Sequence, residues 1–134
     1  MAKLTAIEGI GDVYAQKLKE AGIKTTEALL EKGTTPQGRK ELGEETDISH
    51  KLILEWVNHA DLFRIKGVGE EYADLLEEAG VDTVPELAQR NAENLHRAMT
   101  SADEEKKLVR RMPTLGQVSD WIEQAKNLPR VITY

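Results

Sequence analysis

The chain has 134 residues, 40% of them hydrophobic, enough to bury one core or two very small ones. It has no cysteine, which excludes disulfides and thiolate zinc sites, and no apolar run approaches the roughly 20 residues that span a bilayer. The net charge is −6, split as −3 on either side of the Leu62–Phe63 boundary, so neither half is a basic arm and any surface for nucleic acid must be a local patch on an acidic body. Aromatic residues are only 4% and charged residues 31%, and long alternating Val-Ile-Thr runs are missing, so an all-α fold is expected. The opening Met-Ala-Lys-Leu-Thr lacks the apolar stretch of a signal peptide, which predicts a cytoplasmic protein with no membrane partner.

In chain order, Tyr14, Ala15 and Leu18 fall at i, i+1 and i+4 and predict a helix with one apolar stripe. Gly22 suits the left-handed position that ends such a helix, and Pro36 follows Thr35 as a first-turn proline follows its cap. Leu52, Ile53, Trp56, Val57 and Ala60 mark a closing helix, with Trp56 read as a core anchor. From Asn58 to Ile65 the chain carries Leu62, Phe63 and Ile65 rather than a Gly- or Ser-rich linker, so two rigidly docked units are expected. The second stripe is Tyr72, Ala73 and Leu76, stopped at Gly80. Thr83 with Glu86, Ser101 with Glu104 and Thr114 with Gln117 each fit a capping box. Lys106, Lys107, Arg110 and Arg111 are spaced as two i, i+4 pairs on one helix, just before Met112-Pro113-Thr114 opens the last helix. That last stripe is Val118, Trp121, Ile122 and Ala125. About ten short helices are expected.

The repeat within the chain is its most informative feature. Ile7-Glu8-Gly9-Ile10-Gly11-Asp12-Val13-Tyr14-Ala15 returns 58 residues later as Ile65-Lys66-Gly67-Val68-Gly69-Glu70-Glu71-Tyr72-Ala73. Leu18, Ala21, Gly22, Thr25 and Leu29 recur at the same offset, and Trp56-Val57 with Ala60 recurs as Trp121-Ile122 with Ala125. The units are therefore placed at residues 1–62 and 63–134, about five short helices each, the second closing on a short tail.

Hydrophobic-x-Gly-hydrophobic-Gly ahead of an Ala- and Leu-bearing helix resembles the helix-hairpin-helix motif of DNA repair and recombination proteins. In the turns Gly9-Ile10-Gly11 and Gly67-Val68-Gly69, the glycines allow a tight turn and close backbone approach, while Ile10 or Val68 pins the turn in the core. The resemblance implies that amides opening the next helix meet a phosphate oxygen, helped by the helix dipole, and that no sequence is read. Residues 4–60 resemble the small N-terminal domain of RecA-like recombinases, with Thr46-Asp47-Ile48-Ser49 where a second Thr-Gly-Ile-Ser hairpin would lie. Asp47 in place of glycine makes that hairpin degenerate. The whole chain resembles stand-alone bacterial tandem helix-hairpin-helix proteins of a domain-of-unknown-function family, a SAM-like all-α architecture.

Asp12, Glu70 and Glu71 come after the second glycine of each turn, where Pro, Ser, Thr or Lys is common in the family. At roughly 7 Å and an intermediate dielectric, one such carboxylate would repel a phosphate by about 1 kcal/mol. Lys17 lies one turn into the first helix and Lys66 inside the second hairpin. The basic stripe from Lys106 to Arg111 is read either as a cationic patch away from the hairpins or as a solvated helix end preceded by Asp103, Glu104 and Glu105. His50, His59 and His96 have no spaced partner, so no metal is expected. No dinucleotide fingerprint, phosphate-loop lysine or paired nucleophile and base is present, so neither an enzyme nor a cofactor is expected. Two functions stay open: non-sequence-specific binding of a DNA or RNA backbone by a monomer, through Gly9, Ile10, Gly11, Lys17, Lys66, Gly67, Val68, Gly69, Lys106, Lys107, Arg110 and Arg111, or a protein-interaction adaptor on the same scaffold. Gly11→Val is expected to destabilise the first unit by straining a positive-φ position.

Overall fold

Helices begin where a short polar side chain can accept a first-turn amide, and in a computed structural model of the chain, describing residues 3–134, most of them do. The elements are a short 3-10 turn at Leu4–Ala6, then α1 (Asp12–Glu20), α2 (Thr26–Lys32), α3 (Pro36–Thr46), α4 (His50–Leu62), α5 (Glu70–Glu78), α6 (Val84–Ala88), α7 (Ala92–Lys106) and α8 (Leu115–Asn127). No strand forms among the described residues beyond an isolated bridge between Lys3 and Thr25, so the fold is all-α. Among the described residues, no helix is long and apolar enough to cross a membrane.

The chain divides into two compact units, one running to Asp61 and completed by Val131–Tyr134, the other Leu62–Arg130. In the first unit, Thr25 caps α2 through the Ala28 amide, and Thr35 caps α3 through the Gly38 amide with Pro36 at the first helical position. Ser49 accepts from the Leu52 amide at the start of α4. Ile7, Ile10, Leu18, Leu29, Leu42, Ile53 and Trp56 are buried, as is Ile132 from the closing segment. Asp47 ends α3 in the left-handed region at φ 59°, the conformation a glycine would otherwise supply there.

In the second unit, α8 packs on α6 and α7, and α5 packs on α7. The shared core contains Ile65, Leu75, Leu76, Leu87, Leu95, Met99, Val118 and Trp121. Thr114 and Gln117 form the expected capping box on α8. Thr83 accepts from the Glu86 amide, but its hydroxyl donates to the Glu86 carboxylate instead of leaving that group to bond back to the cap. The stops of α1 and α5 are as anticipated. Gly22 and Gly80 take φ 88° and 96°, and the amides of Ile23 and Val81 reach back to the carbonyls of Leu18 and Leu76, both at 2.9 Å.

Three further expectations are corrected by the structure. Ser101 does not start a helix: Asn91 caps α7 ten residues earlier by accepting the Asn94 amide, and Ser101 lies inside that helix. Lys106, Lys107, Arg110 and Arg111 do not share a helix, because α7 ends at Lys106 and Lys107 turns to φ 55°. The turn is held by the Lys107 amide on the Asp103 carbonyl and by the Val109 amide on the Asp103 carboxylate, while Leu108 and Val109 pack against the core. Finally, Gly11 has φ −87°, an ordinary extended cap, and a Cβ there would meet nothing within 4 Å. The positive φ of the turn belongs to Gly9, at 92°.

Candidate functional site

Both Gly-x-Gly turns place a glycine in a backbone conformation that L residues avoid, and both lie over a buried indole. Gly9 and Gly67 have φ 92° and 97°, and a Cβ added at either would stand 3.3 Å from the Trp56 Nε1 or 3.0 Å from the Trp121 Nε1. The indoles are in turn flanked by tyrosines: Tyr14 lies 5.1 Å from Trp56 and Tyr72 5.2 Å from Trp121, ring centre to ring centre, in tilted contact. Trp56 and Trp121 are thus the core anchors expected, and Ile10 and Val68 are buried beneath the turns.

The helix starts just after these turns set α1 and α5 apart. Their caps are Gly11 and Gly69, which have no side chain to offer, so the first-turn amides receive no side-chain cap. In α2, α3, α6, α7 and α8 a Thr or Asn oxygen fills that place. Such uncapped amides, at the positive end of a helix dipole, suit an anionic oxygen.

At the first turn the neighbouring groups are sparse. Lys17 sits one turn along α1 with its ammonium 6.0 Å from the centre of the Tyr14 ring, a distance at the limit of a cation–π contact. Val13 beside the turn is 71% exposed.

At the second turn the structure brings together groups that the sequence separates. Leaving α7, the chain passes the start of α5: the Tyr72 hydroxyl donates to the Arg111 carbonyl at 3.0 Å, and the Arg110 amide donates to the Glu71 carboxylate at 2.9 Å. Arg110 also donates through Nε and Nη2 to the other Glu71 oxygen, at 3.3 and 3.1 Å. The expectation that this basic patch lies away from the hairpins is therefore corrected for Arg110 and Arg111. With Gly67, Gly69, Glu70, Glu71 and Tyr72 they line one open cleft of about 510 Å³. Lys106 instead pairs with Glu78 near the end of α5 at 3.0 Å, and Lys107 serves as the left-handed cap of α7.

Charge in this cleft is partly self-neutralised. The Arg110 amide, and next its guanidinium, hold the Glu71 carboxyl below its ordinary value of 4.5. Arg111 forms no ion pair among the described residues and supplies the uncommitted positive charge. Inside the turn, Lys66 is clamped through its backbone: its amide donates to Gln124 Oε1 at 2.8 Å and its carbonyl accepts from Gln124 Nε2 at 3.0 Å, leaving the side chain exposed. Gln124, Tyr72 and Glu71 are the positioning groups that sequence reasoning missed. The spacing of Gln124, one turn after Trp121 on the flank of the apolar stripe, was the available signal for the first of them.

One family model matches the chain over residues 8–128, spanning both turns and both tryptophans; its description is Domain of unknown function (DUF4332). No curated protein and no solved structure matches the chain.

Proposed function

We propose that this chain, which belongs to the DUF4332 family of unknown function, carries two tandem helix-hairpin-helix units that bind the backbone of DNA or RNA without reading sequence and without catalysing a reaction. The observation that carries the reading is the pair of uncapped helix starts, α1 and α5, each introduced by a positive-φ glycine over a buried indole. A glycine cap leaves the amides open and lets a phosphate approach them closely. Arg111 beside the second turn adds a charge that attracts the same oxygen.

Binding through a few phosphates has a distinctive dependence on conditions. Affinity for a fluorescent duplex or single strand of about 30 nucleotides should be weak, indifferent to sequence and steeply lowered by salt, with a log–log slope of about −0.9 per phosphate contacted on duplex. Arg110→Glu with Arg111→Glu should abolish the shift in anisotropy and leave the helical signal unchanged. Asp12→Lys should tighten binding by at least about fivefold, the counterpart of about 1 kcal/mol of removed repulsion. No anisotropy change for the wild type at low salt would sink the proposal.

The adaptor reading has its own support in the 71% exposed Val13 beside the first turn, where a phosphate-binding surface gains nothing from an apolar group. Val13→Lys separates the two: it should strengthen nucleic-acid binding and would weaken docking of a protein.

A further inference from the structure

Glu71, the second residue of α5, is bonded as an anion in a binding site is bonded. One carboxylate oxygen accepts from the Arg110 amide at 2.9 Å, and the other accepts from Nε and Nη2 of the same arginine at 3.3 and 3.1 Å. A main-chain amide joined to a forked guanidinium is a donor set that fits a phosphate as well as it fits a carboxylate. Arg111, the next residue, lines the same open cleft and adds a second cationic side chain.

Two features make the carboxylate displaceable while the donors stay in place. The Arg110 side chain is 92% exposed, and an ion pair so open to water holds its partners weakly. The backbone carrying Arg110 is fixed on both sides without Glu71: the Val109 amide is bonded to the Asp103 carboxylate, the Arg111 carbonyl takes the Tyr72 hydroxyl, and Leu108, Val109 and Met112 pack against the core. Only the Glu71 side chain has to swing aside. Protonation does not release it near neutral pH, because the bonds from Arg110 hold its carboxyl below the ordinary 4.5. The first turn has no such group, since the residue aligned with Glu71 in the repeat is Val13.

We infer that Glu71 is an internal stand-in for phosphate at the second turn, occupying the donors of Arg110 until a phosphate of the nucleic-acid backbone takes its place. The inference rests on the nucleic-acid reading above and gives the two turns different states: the first carries no such occupant, and the second admits a phosphate only by exchange. A small anion competes poorly with a group already tethered in place. A strand held by one phosphate delivers the next at high effective concentration, so the contact favours polyanions.

The test compares Glu71→Gln with Glu70→Gln, which removes the same charge one residue earlier, in the full-length chain. On charge alone Glu71→Gln gains no more than Glu70→Gln, since Arg110 already neutralises Glu71. Releasing Arg110 should instead make Glu71→Gln bind a fluorescent strand of about 30 nucleotides at least about fivefold more tightly than Glu70→Gln does. In an Arg110→Ala background that difference should disappear. Inorganic pyrophosphate supplies an independent readout: the Arg110 amide resonance should shift at about fivefold lower pyrophosphate in Glu71→Gln than in wild type. Equal strand affinities for Glu71→Gln and Glu70→Gln, or a difference that survives Arg110→Ala, overturns the inference and leaves the nucleic-acid reading intact. A pyrophosphate shift at Arg110 in Glu71→Gln, with no strand bound by any variant, keeps Glu71 as the occupant of an anion site and sinks the nucleic-acid reading instead. If pyrophosphate leaves the Arg110 amide unmoved in Glu71→Gln, the inference fails outright.

Discussion

Replacing Gly67 by alanine should destabilise the second unit strongly, whereas the same change at Gly69, two residues on, should be nearly silent. Gly67 sits at φ 97°, beyond the small left-handed region near +50 to +70° that other residues can visit, which costs an L side chain about 1–3 kcal/mol. The new Cβ would also stand 3.0 Å from the Trp121 Nε1, closer than ordinary packing, and the indole is buried and flanked by Tyr72. Displacing it adds roughly 1 kcal/mol at the low end of overpacking, for about 2–4 kcal/mol in all. Gly69 has φ −105° and nothing within 4 Å of its would-be Cβ. Alanine there weakens the cap slightly and restricts the unfolded chain, two effects below about 1 kcal/mol and of opposite sign. Urea titrations followed by circular dichroism measure both, and Gly67→Ala should lower the melting temperature by about 8 °C or more. In a Trp121→Leu background the steric part should vanish and the torsional part remain, a coupling of about 1 kcal/mol. Equal shifts for Gly67→Ala and Gly69→Ala would refute the assignment of the strained position.

Three further outcomes are expected. Thr114→Ala removes the hydroxyl acceptor for the Gln117 amide while leaving the Thr114 amide to donate to the Gln117 side chain, and should cost about 1 kcal/mol in chemical denaturation, with a neutral result arguing against the cap. Trp56→Ala should cost about 3–5 kcal/mol, since the 2% exposed indole fills the space beneath Gly9 and against Tyr14; a loss below about 1 kcal/mol would show that the first turn does not rest on it. Because Glu71 titrates below its ordinary 4.5 in the folded chain, its contribution is present above that value and fades as pH falls through the lowered one. Melting temperatures of wild type and Glu71→Gln should therefore differ at neutral pH and converge under acid, and a gap that persists in strong acid would exclude the carboxylate as its source.

Much of the local structure was legible in the residues because it rests on short-range chemistry. Gly22 and Gly80 end helices where the apolar stripes stop, and Thr35-Pro36 and Thr114 with Gln117 begin them, since cap and amide lie three residues apart. The glycine turns were visible too, but which glycine carries the positive φ was not, because that depends on the indole below and not on spacing. The basic cluster misleads for a related reason. Its i, i+4 spacing is helical, yet Asp103 and the burial of Leu108 and Val109 take the chain out of the helix at Lys107. What that break achieves, Arg110 and Arg111 beside Gly69, joins residues about 40 apart in sequence and leaves no periodic trace. Arg39 was equally silent, since a buried arginine satisfied by backbone carbonyls looks like any surface arginine until those carbonyls are placed.

The interruption of the first unit by the second bears on the order in which the chain folds. Bonds from Arg39 to Thr133, Asn58 to Tyr134 and Thr34 to Thr133 join residues 94, 76 and 99 apart, and all close around material synthesised after the whole of Leu62–Arg130. On a ribosome the N-terminal helices emerge first, yet their unit lacks Ile132 until that segment is made, while the unit made second has all its core residues earlier. The usual vectorial sequence is thereby inverted: the late-made unit is the one able to finish alone, and the early-made one waits on a long-range closure that is slow relative to helix formation.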